Sequence, residues 1–197
     1  MYSNIEIEAK VLLTKEEYEK VYASLRMNDS MTHSQTNFYI DSKDRTLKNN
    51  GVALRIREKK GEYVLTMKTP LSEGLLEKNQ ALKDKEAMSM INLNRFPEGE
   101  IKEFLEVLDI DTSTLVVLAK LTTLRTEIDN PNEEEEISLD ENTYGHKVDY
   151  ELEVDKSAMA LAEEKVKEIL EPLKIKYTLN KCSKASRALA EAEAEGK

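Results

Sequence analysis

The chain has 197 residues, 40 % hydrophobic and 35 % charged, with a net charge of −10 and a pI near 4.9. That length supports one domain with a sizeable core, and the apolar content excludes a disordered chain. The acidic balance argues against broad nucleic-acid binding, which leaves a basic footprint. The single cysteine, Cys182, excludes an internal disulfide and a cysteine-cluster metal site.

The first element is a strand at Ile5 to Val11. Strand side chains alternate, so Glu6, Glu8 and Lys10 share one face while Ile5, Ile7, Ala9 and Val11 share the other. Thr14 and Glu17 form a capping-box signal for a helix over Lys15 to Arg26, with Tyr18, Val21, Tyr22 and Leu25 inward. After a turn at Asn28 to Ser30 come strands at Thr36 to Asp41 and Val52 to Glu58, the second entered through Asn49-Asn50-Gly51. Glu62 to Lys68 completes a hairpin across Lys59-Lys60-Gly61, ended by Pro70. Gly74 to Leu82 reads as a strand, and Lys85 to Leu93 and Glu98 to Leu108 as helices.

Val116 to Ile128 contains one or two strands. A turn at Asp129 to Asn132 leads into the acidic run Glu133 to Glu136, which reads as a solvated loop. Ile137 to Asp140 pairs with His146 to Val154 across Glu141 to Gly145. Asp155 is placed to cap a helix from Ser157 to Leu170, stopped near Pro172, and a last helix starts at Ser183. The domain is taken as residues 1–190, with 191–197 a frayed tail.

Roughly eight strands with hairpin connections and a few helices predict an α+β fold, and an eight-stranded antiparallel sheet can close into a barrel. If the helices pack outside on the apolar strand faces, the charged faces line the lumen. A dry lumen of unpaired charge would be too costly, whereas a hydrated one holding a polyanion is not. Lys10, Arg55, Arg57, Lys68 and Arg125 would grip phosphates. Glu6, Glu8, Glu151 and Glu153 would hold divalent cations. With only two histidines, His33 and His146, such a site needs hard oxygen ligands suited to Mg²⁺, Mn²⁺ or Ca²⁺.

At these residues the chain resembles the CYTH superfamily, the triphosphate tunnel metalloenzymes, and within it the bacterial CYTH proteins of Gram-positive species. Glu6-Ile7-Glu8-Ala9-Lys10 matches the ExExK signature. Leu54-Arg55-Ile56-Arg57 resembles the paired-arginine strand, Lys68 the next lysine, Glu77 an acidic position and Arg125 the later arginine. Asp140 and the pair Glu151/Glu153 resemble the late acidic strands, and Lys184 the C-terminal basic position, in competition with Lys181 and Arg187.

The resemblance implies a closed tunnel of eight antiparallel strands that binds a small-molecule triphosphate with Mg²⁺ or Mn²⁺. It implies Glu6, Glu8, Lys10 and Lys68 as catalytic residues. Substrate binding falls to Lys10, Arg55, Arg57, Lys68, Arg125 and Lys184, and the metal to Glu6, Glu8, Glu77, Asp140, Glu151 and Glu153. The expected function is metal-dependent hydrolysis of inorganic, nucleoside or thiamine triphosphate. The alternatives are cyclisation of ATP to cyclic AMP, or non-catalytic sensing of polyphosphate or nucleotide.

No Walker-type GxxxxGK[ST] loop is present, which excludes that nucleotide-hydrolase architecture. No window approaches the roughly 20 apolar residues of a membrane helix. No signal peptide is recognised, so a cytoplasmic protein without nucleic-acid or membrane partners is expected, with a homodimer left open.

Overall fold

The computed structural model describes residues 2–70, 75–130 and 135–196, without the side chains of 2–6, 129 and 130. Leu71 to Gly74, at the expected start of a strand, and Pro131 to Glu134, from the expected turn and acidic run, lie outside the described residues. The described residues form nine strands: β1 (Tyr2–Glu6), β2 (Glu8–Leu13), β3 (Thr32–Asp41), β4 (Ala53–Lys59), β5 (Glu62–Pro70), β6 (Leu75–Leu82), β7 (Val116–Asn130), β8 (Glu135–Tyr144) and β9 (Lys147–Asp155). The α-helices are α1 (Lys15–Ser24), α2 (Thr46–Asn49), α3 (Asp84–Leu93), α4 (Glu100–Val107), α5 (Met159–Leu170) and α6 (Lys184–Ala194).

Hydrogen bonding orders the strands β1-β6-β5-β4-β3-β7-β8-β9-β2. Every pairing whose register is described is antiparallel. The α+β class therefore holds, but the closed eight-stranded barrel does not. The sheet is open, with β1 and β2 at its two edges and no ladder between them among the described residues. The reason lies at Ile7. The N-terminal stretch, expected as one strand, is interrupted there, and the Ile7 carbonyl accepts the N–H of Lys156 at 3.1 Å. β1 follows β6 in the order and β2 follows β9. The same break turns the eight expected strands into nine.

Two compact units share the chain: Met1–Ile5, Gln35–Leu121 and Lys184–Lys197 form the first, Glu6–Ser34 and Thr122–Ser183 the second. Each has its own core. In the first unit, Leu54 and Ile56 of β4 and Leu65 and Met67 of β5 pack with Ala87 and Met90 of α3 and Ile101 and Leu105 of α4. Each such Leu, Ile or Met side chain stabilises the fold by about 1.5–3 kcal/mol relative to exposure. The β4–β5 hairpin turns on Lys60 and Gly61, both at positive φ, the two-residue geometry that matches strand twist. The short α2, not foreseen in the sequence, begins where buried Asp41 accepts the N–H groups of Ser42, Leu47 and Lys48 at 2.7, 2.8 and 3.2 Å.

In the second unit, Ala9, Val11 and Leu13 of β2, Ile137 and Leu139 of β8, and Leu152 and Val154 of β9 pack with Val21 of α1 and with Ala162, Val166, Ile169 and Leu170 of α5. The expected capping box starts α1: Thr14 Oγ1 accepts the Glu17 N–H at 3.2 Å, and Glu17 accepts the Thr14 N–H at 2.8 Å. Asp155 does not cap the next helix. It ends β9, and α5 begins after Ala158 without a side-chain cap. Glu135 and Glu136 open β8 rather than lying in a loop, and buried Glu135 faces Lys156 at 3.0 Å and Lys165 at 3.4 Å. β8 also runs on to Tyr144, so the hairpin into β9 is only Gly145-His146, with Tyr144 opposite Lys147.

Candidate functional site

In each unit the helices cover the apolar strand face, and polar residues occupy the other positions of the same strands. In the first unit, register places Arg55 opposite Thr66, Thr66 opposite Asn79, and Lys68 opposite Glu77. Glu77 is the hub: its Oε2 lies 3.1 Å from Lys68 Nζ and 3.9 Å from an Arg55 guanidinium nitrogen. Its Oε1 accepts from Asn79 Nδ2 at 2.8 Å, and Asn79 Oδ1 accepts from Thr66 Oγ1 at 2.7 Å. Burial alone would raise the Glu77 pKa, but Lys68 and Arg55 outweigh it and hold the carboxyl below its ordinary value. Arg57 Nε donates to Asn37 Oδ1 at 3.3 Å across β3 and β4. Arg55 Nε is buried without a hydrogen-bond acceptor.

The second unit has the opposite balance. Arg125 of β7 makes a bidentate pair with Asp140 of β8, Nε to Oδ1 at 2.8 Å and Nη2 to Oδ2 at 2.7 Å. The same Nη2 reaches Glu153 Oε2 of β9 at 2.5 Å, and Nη1 lies 3.6 Å from Glu136. Burial works against a charged Arg125, yet Asp140 and Glu153 raise its pKa further above an already high value. On β2, Lys10 Nζ donates to Glu8 Oε1 at 2.5 Å. Burial would lower the Lys10 pKa, but Glu8, Glu153 and Glu151 together raise it. Asp140 and Glu151 are 0 % exposed and Glu153 8 %. A second relay runs from Thr123 Oγ1 to Asn142 Oδ1 at 2.7 Å and from Asn142 Nδ2 to Asp149 Oδ1 at 3.0 Å, with the Tyr144 hydroxyl on Asp149 Oδ2 at 2.6 Å.

The expected residues thus fall into two groups. Glu8, Lys10, Arg125, Asp140, Glu151 and Glu153 come together on β2, β7, β8 and β9 of the second unit. Arg55, Lys68 and Glu77 come together on β4, β5 and β6 of the first, where Glu77 sits among cations, and Arg57 of β4 reaches Asn37 of β3. Lys184 opens α6 and is half-buried, while Lys181 is exposed. The side chain of Glu6 lies outside the described residues.

Asn79, Thr123 and Asn142 of the two relays, and Asn37 beside Arg57, were missed in the sequence, as was Asn180. All but Asn180 are buried polar residues on strands. Each shares the strand parity of its charged neighbours, the one signal that could have found them.

CYTH triphosphate tunnel metalloenzymes use divalent metals, so the donor set can be tested against that need. The second unit's face fits in kind. Its candidate donors are carboxylate oxygens, hard donors suited to a hard cation, and Glu8, Glu136, Asp140, Asp149, Glu151 and Glu153 outweigh Lys10 and Arg125. Among the described residues no three carboxylates are grouped so as to hold a metal ion as they stand, with Glu8 turned to Lys10 and Asp140 and Glu153 to Arg125.

The molecule is an antiparallel α+β protein whose strands carry an apolar face under helices and a charged face opposite. The CYTH domain model matches residues 4–188, and the chain belongs to that family. It is 39 % identical over 153 residues, 78 % of each chain, to the Bacillus subtilis protein named "Putative triphosphatase YjbK". A Bacillus halodurans crystal structure, described as that of "a putative adenylate cyclase", matches with a TM-score of 0.86 and 34 % identity over 95 % of this chain and 98 % of that one. A Hippeastrum protein described as having a dominant triphosphatase activity shares the fold, with a TM-score of 0.72 and 21 % identity over 93 % of this chain and 95 % of its own. Among the described residues, no helix is long and apolar enough to cross a membrane.

Proposed function

We propose that the protein hydrolyses a linear triphosphate, inorganic or carried by a nucleoside or thiamine, with Mg²⁺ or Mn²⁺. The observation that carries this reading is the burial of Asp140, Glu151 and Glu153 on adjacent strands of one unit. Apolar residues of similar volume would fill such positions at no loss of stability, so the buried acids are best explained by a ligand. The similarity to the B. subtilis triphosphatase-named relative supports the choice of ligand.

Glu8, Glu151 and Glu153, with Glu6, would hold the cation. When bound, it would supply Lewis acidity and a water of lowered pKa. Arg55, Arg57 and Lys68 bind phosphate oxygens, the arginines as planar forks, and stabilise charge as the terminal P–O bond breaks. Lys10 and Arg125 act with the acids of their own unit, Lys10 on phosphate and Arg125 as the guanidinium that orders Asp140 and Glu153. Lys184 adds a substrate contact. Asp140 serves through Arg125, and Glu77 through Lys68 and Arg55.

The test is turnover. The purified chain is incubated with tripolyphosphate, ATP and thiamine triphosphate in Mg²⁺ or Mn²⁺, and phosphate and cyclic AMP are measured. Phosphate is expected from at least one substrate and is abolished by EDTA. Glu8→Gln should cut it by about 100-fold or more while the circular dichroism spectrum stays unchanged. A second reading, cyclisation of ATP, is favoured by the name of the B. halodurans relative. Cyclic AMP as the product would replace hydrolysis with it, and tight binding without any product would replace both with sensing.

A further inference from the structure

We infer that Asn180, in the segment between α5 and α6, is a positioning residue that sets the carboxylate of Glu151 for a divalent cation. This rests on the reading of Glu151 as a cation ligand. Every polar group of the Asn180 side chain is engaged. Nδ2 donates to Glu151 Oε1 at 2.8 Å and to the Cys182 carbonyl at 3.0 Å, and Oδ1 accepts the Cys182 N–H at 2.9 Å. Its backbone N–H donates to the Lys10 carbonyl at 2.6 Å, next to the bridge between Val11 and Leu179. One residue therefore ties the segment to β2 through its backbone and to β9 through its amide.

The chemistry of that amide is the point. Asp140 and Glu153 are oriented by a guanidinium, which meets their charge as it fixes their geometry. Asn180 fixes one oxygen of Glu151 with a neutral donor, which orients the carboxylate without adding positive charge. The two Cys182 contacts lock the amide in turn, because flipping it would put Oδ1 against the carboxylate and Nδ2 against the Cys182 N–H. Such outer partners of metal ligands tune affinity by about 10- to 100-fold.

The experiment titrates Mn²⁺ into the full chain and reads free Mn²⁺ by electron paramagnetic resonance, so it does not depend on turnover. Asn180→Ala should raise the Mn²⁺ dissociation constant about tenfold. In a Glu151→Gln background the same change should add nothing, because Asn180 acts through Glu151. Leu179→Ala loosens the same segment but leaves the amide in place. It should lower the melting temperature and leave Mn²⁺ affinity unchanged. Unaltered affinity in Asn180→Ala, an equal loss in the Glu151→Gln background, or an equal loss in Leu179→Ala each overturns the inference, as does a wild-type chain that binds no Mn²⁺. A wild type that binds Mn²⁺ through this pair but turns over no triphosphate leaves the inference standing and overturns the hydrolase reading instead.

Discussion

The two units solve the same problem with opposite signs. Both place helices over the apolar face of antiparallel strands, and both carry a buried Thr–Asn pair across two strands whose amide donates to a carboxylate: Thr66–Asn79–Glu77 in the first, Thr123–Asn142–Asp149 in the second. The charged residues then diverge. Around Glu77 stand Arg55 and Lys68, whereas around Arg125 stand Asp140, Glu153 and Glu136. In each unit a residue of minority sign is the hub. Like charges collected on one face repel, and a single opposite charge within reach of several of them offsets that repulsion and fixes their geometry. Hub residues should therefore cost more to remove than any member of the majority they organise.

Arg125→Ala is the strongest way to break that rule. It leaves Asp140 and Glu153 buried without their guanidinium, and a destabilisation of about 3–5 kcal/mol is expected in urea unfolding. A loss below about 1 kcal/mol would show that the acids are held by other means. Glu77→Gln tests the opposite hub and carries a pH signature. The folded-state pKa of Glu77 is depressed, so its contribution to stability is present above the ordinary carboxylate range and is lost as pH falls through its folded value. The stability gap between wild type and Glu77→Gln should therefore be open at neutral pH and close in acid. A gap independent of pH would remove Glu77 from that role. Lys10 works in the other direction: its raised pKa means a contribution held at neutral pH and lost as pH rises through the folded value.

Helices α1 and α4, one from each unit, also differ in how they start, and Gly99→Ala sharpens that contrast. Gly99 sits at φ +134°, a region essentially closed to other residues, and an added Cβ would collide with the Gln80 side-chain amide. That amide donates to the Glu98 carbonyl at 2.8 Å and accepts the Ile101 N–H at 3.3 Å, so a side chain of β6 begins α4. Backbone strain of this kind costs about 1–3 kcal/mol, measurable as a lower unfolding midpoint.

What the sequence made legible follows the range of the interaction. Period-two alternation alone separated Arg55 and Arg57 from Leu54 and Ile56, and Glu151 and Glu153 from Leu152 and Val154, and the structure buries the apolar set under helices as expected. It could not say which cations a carboxylate would meet. Glu77 looked like one more acid until the Lys68–Glu77 register placed it among bases. The interruption at Ile7 was equally hidden, because Ile5-Glu6-Ile7-Glu8 alternates without a flaw and the Lys156 N–H that meets the Ile7 carbonyl comes from far along the chain. Asn180 carries no charge and no motif, and its role exists only through distant Glu151 and Lys10.

The smallest expected effect belongs to the cap that was readable in advance. Thr14 and Glu17 are three residues apart, and each satisfies the other's backbone N–H at the start of α1 without help from any strand. Thr14→Ala should cost about 1 kcal/mol in urea unfolding. Mn²⁺ affinity should not move, since neither residue touches the acidic face. A cost above about 2 kcal/mol, beyond what a lost cap accounts for, would mean that α1 is positioned by more than its own sequence. The start of α1 would then resemble that of α4, and the contrast between a locally capped helix in one unit and a strand-capped helix in the other would be lost.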